Sequence, residues 1–302
     1  MNNGILTAGY LPALSPFGLL GSPKPIRMPD DRWHPEANSW LSRVIANGGS
    51  VDFNTMSAVD EFCRSIDTFG LRDLLLRVNL FCGNNLPSCL VPLYRGYGPN
   101  ETQQGNATDT NNNFVSADYS NATGLTGGSQ ASGKWINISI SPNTIGMGAC
   151  HAGVYANQGG LDLPSGAIQR LFGSNTSIGS MISIADTYTS ATYNIATTNN
   201  TGAPVVGAGR GFMIGTRNSL YEVSAYRNGC KIGQAYSQYT SVLSNSTAIL
   251  IFNWNNPTSP TANRYYSGSI RAYTFGKPMT DGQINLYYKA MQAFQSRLGR
   301  AV

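Results

Sequence analysis

Charged side chains are scarce in this chain. Lys, Arg, Asp and Glu make up 12% of its 302 residues, about half the usual share in a globular domain. The 20 basic and 15 acidic residues leave a formal net charge of +5, and the basic ones stand singly, without a run or stripe. Nucleic-acid binding, which needs a continuous basic surface, is therefore not predicted. The many Gly, Asn, Ser and Thr residues indicate instead a turn-rich β-protein with a polar, uncharged surface.

Histidine and glutamate, which often transfer protons in enzymes, are also rare. The two histidines are His34 and His151, and the glutamates are Glu36, Glu61, Glu101 and Glu222. No Glu-x-Asp-x-Glu pattern places two carboxylates on one strand face for glycoside hydrolysis. Nucleophile motifs, phosphate loops and zinc spacings are absent as well. We therefore predict no enzyme activity, no cofactor and no metal site, with a hydrolase built on Glu222 as the weakest alternative.

The five cysteines stand far apart in the sequence, and their number is odd. This pattern predicts free thiols in a protein made in a reducing cytoplasm, because a disulfide framework normally uses paired cysteines. One of them, Cys150, precedes His151 in a strand-like run. We predict that His151 is an ordinary strand histidine with a hydrogen-bond partner, since neighbours in a strand point to opposite faces.

Long apolar runs are missing. No segment approaches the roughly twenty apolar residues of a membrane span. The N-terminal stretch has no early Lys or Arg, and Pro12 and Pro16 interrupt its apolar residues. We therefore expect neither a membrane segment nor a signal peptide.

Residues 1–36 are rich in proline, with isolated apolar side chains between the prolines. Proline at this density disfavours helices and central strands and favours extended chain. A floppy tail is one interpretation. The other is an assembly arm that becomes ordered on a partner subunit, with Phe17, Ile26 and Trp33 as its apolar anchors.

Residues 37–96 are predicted to form a helical block that packs on a β-sandwich formed by the rest of the chain. Trp40, Leu41 and Val44 have helical spacing and are followed by Asn47-Gly48-Gly49. Asn54 is the predicted N-cap of a second helix that ends at Gly70. A short buried strand follows, with Val78 to Cys82 as its predicted extent.

Residues 97–302 are predicted to form a β-sandwich, because turn signals recur every 8–15 residues beyond residue 130. Asn228-Gly229, between two strand-like runs, predicts a hairpin with a type I′ turn. The chain is predicted to end in an amphipathic helix that Thr280 and Gln283 begin with a capping box. We expect this helix to pack against the edge or base of the sandwich.

Several segments resemble phage and prophage virion proteins that carry a concanavalin A-like, laminin G-like jelly roll. The YRNG hairpin at 226–229 and the start of the last helix are similar to that jelly roll. The resemblance to virion proteins rests on further segments, namely WLSRVIANGGSV at 40–51, FCRSIDTFGLRDLLLRVNLFCG at 62–83, VPLYRG at 91–96, NNFVSADYS at 112–120 and YKAMQAFQSRLGR at 288–300.

This resemblance implies a mainly β fold: a concanavalin A-like jelly-roll sandwich with an N-terminal helical block, an extended N-terminal arm and a C-terminal helix. It also implies a virion structural protein, in tail, fibre or head decoration, made in the host cytoplasm without a signal peptide. The expected partners are other virion proteins and further copies of the chain, with a trimer favoured by particle symmetry.

Carbohydrate binding is the alternative function. A lectin-like module would recognise a host surface glycan through exposed aromatic rings that stack on sugars. Trp254, Tyr265 and Tyr266 flank a loop rich in amide side chains and are the predicted glycan contacts. The competing interpretation is that Trp254 closes one end of the core.

Overall fold

The structure is a computed structural model. It describes residues 32–146, 148–157, 169–175, 180–186, 190–198, 203–206, 210–218, 222–236, 246–255 and 265–302.

The described residues form five α-helices and fifteen strands. The helices are α1 (Pro35–Ala46), α2 (Phe53–Thr68), α3 (Leu86–Cys89), α4 (Pro142–Ile145) and α5 (Asp281–Arg297). The strands are β1 (Leu75–Asn79), β2 (Thr110–Asn112), β3 (Tyr119–Ser120), β4 (Gly124–Thr126), β5 (Trp135–Asn137), β6 (Cys150–Ala156), β7 (Gln169–Asn175), β8 (Ser180–Asp186), β9 (Ser190–Thr198), β10 (Ala203–Val206), β11 (Gly211–Arg217), β12 (Glu222–Arg227), β13 (Cys230–Tyr236), β14 (Leu250–Ile251) and β15 (Ser269–Gly276).

The strands build two antiparallel sheets. Sheet 1 has the order β13-β12-β11-β6-β15-β4-β3, and β1 also pairs with β15. Sheet 2 has the order β10-β9-β8-β7-β14-β5-β2. The chain is thus mainly β with a few helices, as the turn-rich sequence indicated.

Sheet 1 is the middle of three layers. Alternate residues of its strands point to opposite faces. Val154 and Met213 face sheet 2 and join one apolar core, whereas Tyr155 and Phe212 face the helices and join a second core. Every residue of β15 is buried because both faces of its sheet are covered.

The helical layer consists mainly of α1, α2 and α5. Phe62 of α2 lies between two rings of α5, with ring centroids 6.4 Å from Tyr287 and 5.8 Å from Phe294. Tyr287 also lies 5.3 Å from the ring of Phe212 in β11, so the last helix covers a face of sheet 1 and does not sit at an edge or base of the sandwich. No helix in the described part of the chain is long and apolar enough to cross a membrane.

The helical block and the sandwich share a sheet. Strand β1, within the predicted block 37–96, pairs with β15 near the end of the chain, with Asn79 opposite Tyr273. Three short strands, β2 to β4, also lie between the helical block and residue 130. The division of the chain into a helical block at 37–96 and a sandwich at 97–302 stays a prediction.

Local signals placed several element ends correctly. Thr280 and Gln283 form the capping box of α5, and Asn228 and Gly229 have φ of 50° and 77°, as a type I′ turn requires. The predicted N-cap of α2 was wrong. Asp52 takes that position, because its carboxylate accepts the Thr55 N–H at 2.6 Å.

The predicted strand from Val78 to Cys82 also differs. The observed strand β1 ends at Asn79. Phe81 lies beyond it with a φ of 39°, outside the extended region, and the Asn79 side chain accepts its N–H at 2.9 Å.

Candidate functional site

A cleft of about 790 Å³ lies between one face of α1 and the segment 93–103. This volume falls within the roughly 300–1,000 Å³ of typical small-ligand sites. Glu36, Ser39 and Arg43 line it because residues spaced three and four apart share one helix face. The adjoining face of α1 carries Trp40 and Val44 into the core.

Hydrogen bonds fix the two walls of the cleft to each other. The Trp40 indole N–H donates to the Val91 carbonyl at 3.0 Å. Nη2 of Arg43 donates to the carbonyls of Pro92 at 3.0 Å and Leu93 at 2.9 Å. The cleft is therefore a preformed feature of the helical layer.

One ion pair in the cleft is complete. Arg72 donates from Nε to both carboxylate oxygens of Glu36, at 2.8 and 2.9 Å, and from Nη1 to the carbonyls of Leu75 and Gly96. Its guanidinium lies 4.1 Å from the ring centroid of Tyr94. Burial raises the pKa of Glu36, and the Arg72 cation opposes that rise. This pair is neutralised and held in place by the fold.

Arg43 and Arg95 are different. Within the described residues neither pairs with a carboxylate within 4 Å, and the Nε of each is buried without an acceptor. Burial, and next the cations of Arg95 and Arg77, lower the pKa of Arg43 to about 10. Burial, and next the Arg77 cation, lower the pKa of Arg95. These two guanidiniums give the cleft hydrogen-bond donors that are not all used by the described residues.

This cleft was not predicted from the sequence. The polar spacing of Glu36, Ser39 and Arg43 was visible, but such a stripe is typical of a solvated helix face. Arg95 lies more than fifty residues after Arg43 in the chain, and nothing in the local sequence indicates that these two side chains line the same cleft.

His151 is the strand histidine that the sequence predicted. It is fully buried, with Nδ1 2.5 Å from the Lys277 carbonyl and Nε2 3.0 Å from the Thr274 hydroxyl. Burial lowers its pKa to about 4, and the Lys277 carbonyl opposes that change. The ring is therefore neutral at pH 7 and has no contact with solvent.

The five cysteines are free, as predicted. Burial raises the thiol pKa of Cys63, Cys82, Cys89 and Cys150, to about 12 for Cys82 and Cys150. These four thiols stay protonated and shielded, and Cys230 is exposed.

Glu222 lies at the rim of sheet 1. It accepts from the Ser224 hydroxyl at 2.7 Å and from Lys231 Nζ at 3.3 Å. The Ser224 hydrogen bond, with help from Lys231, lowers its pKa. A general acid of a glycosidase needs the opposite shift, so this environment does not prepare Glu222 for that role.

The predicted glycan contacts are mostly covered by the protein. Trp254 is 8% exposed, and the Arg170 guanidinium lies 4.8 Å from its ring centroid. Tyr266 is fully buried, 6.2 Å from the Phe252 ring. Tyr265 is half-buried. A sugar therefore has no free face of Trp254 or Tyr266 to stack on. Trp254 is a buried core residue, as the competing interpretation held.

Of the predicted arm anchors, Phe17 and Ile26 lie outside the described residues. Trp33 is half-buried on its own chain, with its ring centroid 5.6 Å from that of Phe53. The Phe53 side chain is 72% exposed. Residues 32–36 belong to the folded body, because His34 caps α1 and Glu36 pairs with Arg72.

No protein-family model matches the chain, and no curated protein matches it. Solved structures with partial likeness include the receptor-binding domain of botulinum neurotoxin mosaic serotype C/D, at 12% identity and a TM-score of 0.49, covering 72% of this chain and 51% of that one. The binding domain of botulinum neurotoxin DC in complex with SialylT has 12% identity and a TM-score of 0.44, covering 73% and 52%. The chain thus spans about half the length of these domains, and likenesses of this size do not identify its family.

Proposed function

We propose that the chain is a non-catalytic structural component of a bacteriophage particle, in the tail, a fibre or the head decoration. It joins the particle through its N-terminal arm and exposes a concanavalin A-like, laminin G-like jelly roll. The partners are other virion proteins and further copies of the chain, with a trimer favoured.

The observation that carries this proposal is where the virion-like segments lie. Trp40 and Arg43, in WLSRVIANGGSV, donate hydrogen bonds to the backbone of VPLYRG at Val91, Pro92 and Leu93. Arg300, at the end of YKAMQAFQSRLGR, donates to the carbonyls of Leu80 and Phe81 in the NLFCG ending. Segments as far as 220 residues apart in sequence therefore form one connected layer, which supports a common structural origin for the resemblance.

The surface where residues 1–31 join the body supports the assembly role of the arm. Phe53 exposes most of its ring beside Trp33. An exposed aromatic ring at the root of a proline-rich arm suits contact with a neighbouring subunit, since interface cores are enriched in aromatic residues.

The experiment is light scattering coupled to size-exclusion chromatography on the full chain, a chain that begins at Arg32, and Phe53→Ser. We expect a trimer or larger ring for the full chain and smaller species for both variants. Val115→Ser is the matched control, because Val115 is 58% exposed elsewhere on the surface. Two results together would contradict the proposal. These are a monomer for every protein tested and absence of the chain from purified particles of phages that infect the proposed host.

Recognition of a host surface carbohydrate is the second candidate function. The cleft beside α1 favours it, because hydroxyl, amide, carboxylate and guanidinium groups from Ser39, Gln103, Glu101 and Arg95 meet there. Such side chains hydrogen-bond sugar hydroxyls. The cleft thus replaces Trp254 and Tyr266 as the place where a glycan would bind.

A glycan array with the full chain tests this second function. We expect Gln103→Ala to weaken any glycan signal and Tyr265→Ala to leave it unchanged. The reverse result would move the binding site back to the loop after Trp254. If the unaltered chain binds no glycan, the proposal of carbohydrate recognition is contradicted.

A further inference from the structure

The cleft holds more cationic hydrogen-bonding capacity than the protein uses. Arg72 is matched by Glu36, but Arg43 and Arg95 have no carboxylate within 4 Å among the described residues. The remaining carboxylate of the lining, Glu101, is exposed. The interior of the cleft is therefore more basic than its mouth.

Arg95 is the less occupied of the two arginines. Only its Nη2 donates to the described part of the protein, to the Gly105 carbonyl at 2.7 Å. Its Nε is buried without an acceptor. A guanidinium carries five N–H donors in a planar fork that fits the two oxygens of an oxyanion. Arg95 thus has donors left for a ligand.

Arg43 is more firmly held but also incomplete. Nη1 donates to the Ser39 hydroxyl at 2.8 Å, and Nη2 donates to backbone carbonyls, but its buried Nε has no acceptor. A buried polar group without a partner costs about 1–3 kcal/mol, so most such groups in folded proteins are satisfied. Together with Arg95, Arg43 thus gives the cleft guanidinium capacity that the described residues leave partly unused.

We propose that this cleft binds a small polar ligand through an oxyanion, a carboxylate or phosphate group, held between Arg43 and Arg95. Neutral donors and acceptors of the lining, including Ser42 and Asn100, contact the rest of the ligand. This inference deepens the second candidate function and rests on the cleft being a ligand site. It does not depend on the virion role.

Isothermal titration calorimetry on the full chain tests the proposal with three probes: galacturonic acid, galactose and inorganic phosphate. Galacturonic acid and galactose differ by one carboxylate, and phosphate carries the oxyanion without a sugar. We expect galacturonic acid to bind at least about tenfold more tightly than galactose, because a hydrogen bond to a charged group contributes more than a neutral one. Binding of phosphate as tight as that of galacturonic acid would show that the oxyanion alone is recognised.

Variants assign the effect to the arginines. Arg95→Gln should weaken galacturonic acid binding by about tenfold or more. Arg43→Lys, which keeps the charge but loses the fork, should weaken it less. Glu101→Gln should strengthen it by removing negative charge at the mouth. Arg297→Gln is the matched control, since Arg297 pairs with Glu61 on the surface, and circular dichroism checks the fold of each variant.

Two results would overturn the inference. One is that neither anionic probe binds at millimolar concentration. The other is that galacturonic acid and galactose bind equally well and independently of Arg95. The second result would still be compatible with carbohydrate recognition. The first result, combined with a glycan array on which the chain binds nothing, would contradict both the oxyanion site and carbohydrate recognition.

Discussion

Two sets of polar groups in this molecule differ in how completely they are partnered. Inside the fold, Arg77 donates to the carboxylate of Asp109 at 2.7 Å and to the carbonyls of Gln104 and Asn106. Arg300 donates from all three nitrogens to carbonyl oxygens of its own chain. In the cleft, Arg43 and Arg95 each keep an Nε with no acceptor among the residues that the structure describes.

The difference separates a structural role from a binding role. Asp109 also accepts from Asn79 at 2.9 Å and from the Tyr273 hydroxyl at 2.7 Å, so this network ties the loop before β2 to β1 and β15. Such a network has no capacity left for a ligand. The cleft does, and that is why we assign binding to the cleft and stability to the core.

The largest expected effect comes from breaking the core network. Asp109→Asn leaves the Arg77 cation buried without its counter-charge, and we expect a loss of about 3–5 kcal/mol in the free energy of unfolding. Urea denaturation measures it. Glu61→Gln, which breaks the exposed pair with Arg297, is the control and should change little. If the two changes lowered the free energy of unfolding equally, core and surface polar groups would not differ in their contribution to stability.

The next effect concerns pH and the buried His151. Its pKa is about 4 in the fold against 6.5 for an ordinary histidine. The unfolded chain therefore takes up the proton first as the pH falls, so the stabilisation present above pH 6.5 is lost between pH 6.5 and 4. The shift corresponds to about 3 kcal/mol.

Urea denaturation from pH 7.5 to 4 checks this, with His151→Gln as the reference. The carboxylates titrate equally in both proteins, so the difference between the two curves isolates the histidine. We expect the difference to shrink as the pH falls below 6.5. A difference that stays constant would mean that His151 is not buried in its neutral form.

Local chemistry made part of the fold predictable. The capping box at Thr280 and the Asn228-Gly229 turn depend on side chains a few residues apart, and both are present as predicted. Where two capping residues competed, at Asp52 and Asn54, the sequence did not show which would be the N-cap of α2. Strand β1 ended early for a similar reason, since the Asn79 side chain binds the Phe81 N–H.

Long-range contacts were not predictable in this way. Arg43 bonds the backbone carbonyls of Pro92 and Leu93, about fifty positions away, and Arg170 covers the ring of Trp254, more than eighty positions away. The sequence indicated a sandwich with the helical block packed on it, but not which sheet face the helices would cover. The sequence predicted binding at Trp254, Tyr265 and Tyr266. The candidate site is instead the cleft with Arg43 and Arg95, which belong to no motif.

The smallest effect on stability should come from the cleft itself. Arg95→Gln loses the hydrogen bond to Gly105 but removes one of the cations that repel Arg43. These terms oppose each other, so we expect the free energy of unfolding to change by less than about 1 kcal/mol. Urea denaturation at low and high salt measures it, and the contribution from lost repulsion should fade at high salt. A loss as large as that of Asp109→Asn would make Arg95 a structural residue and would remove the contrast on which the binding assignment depends.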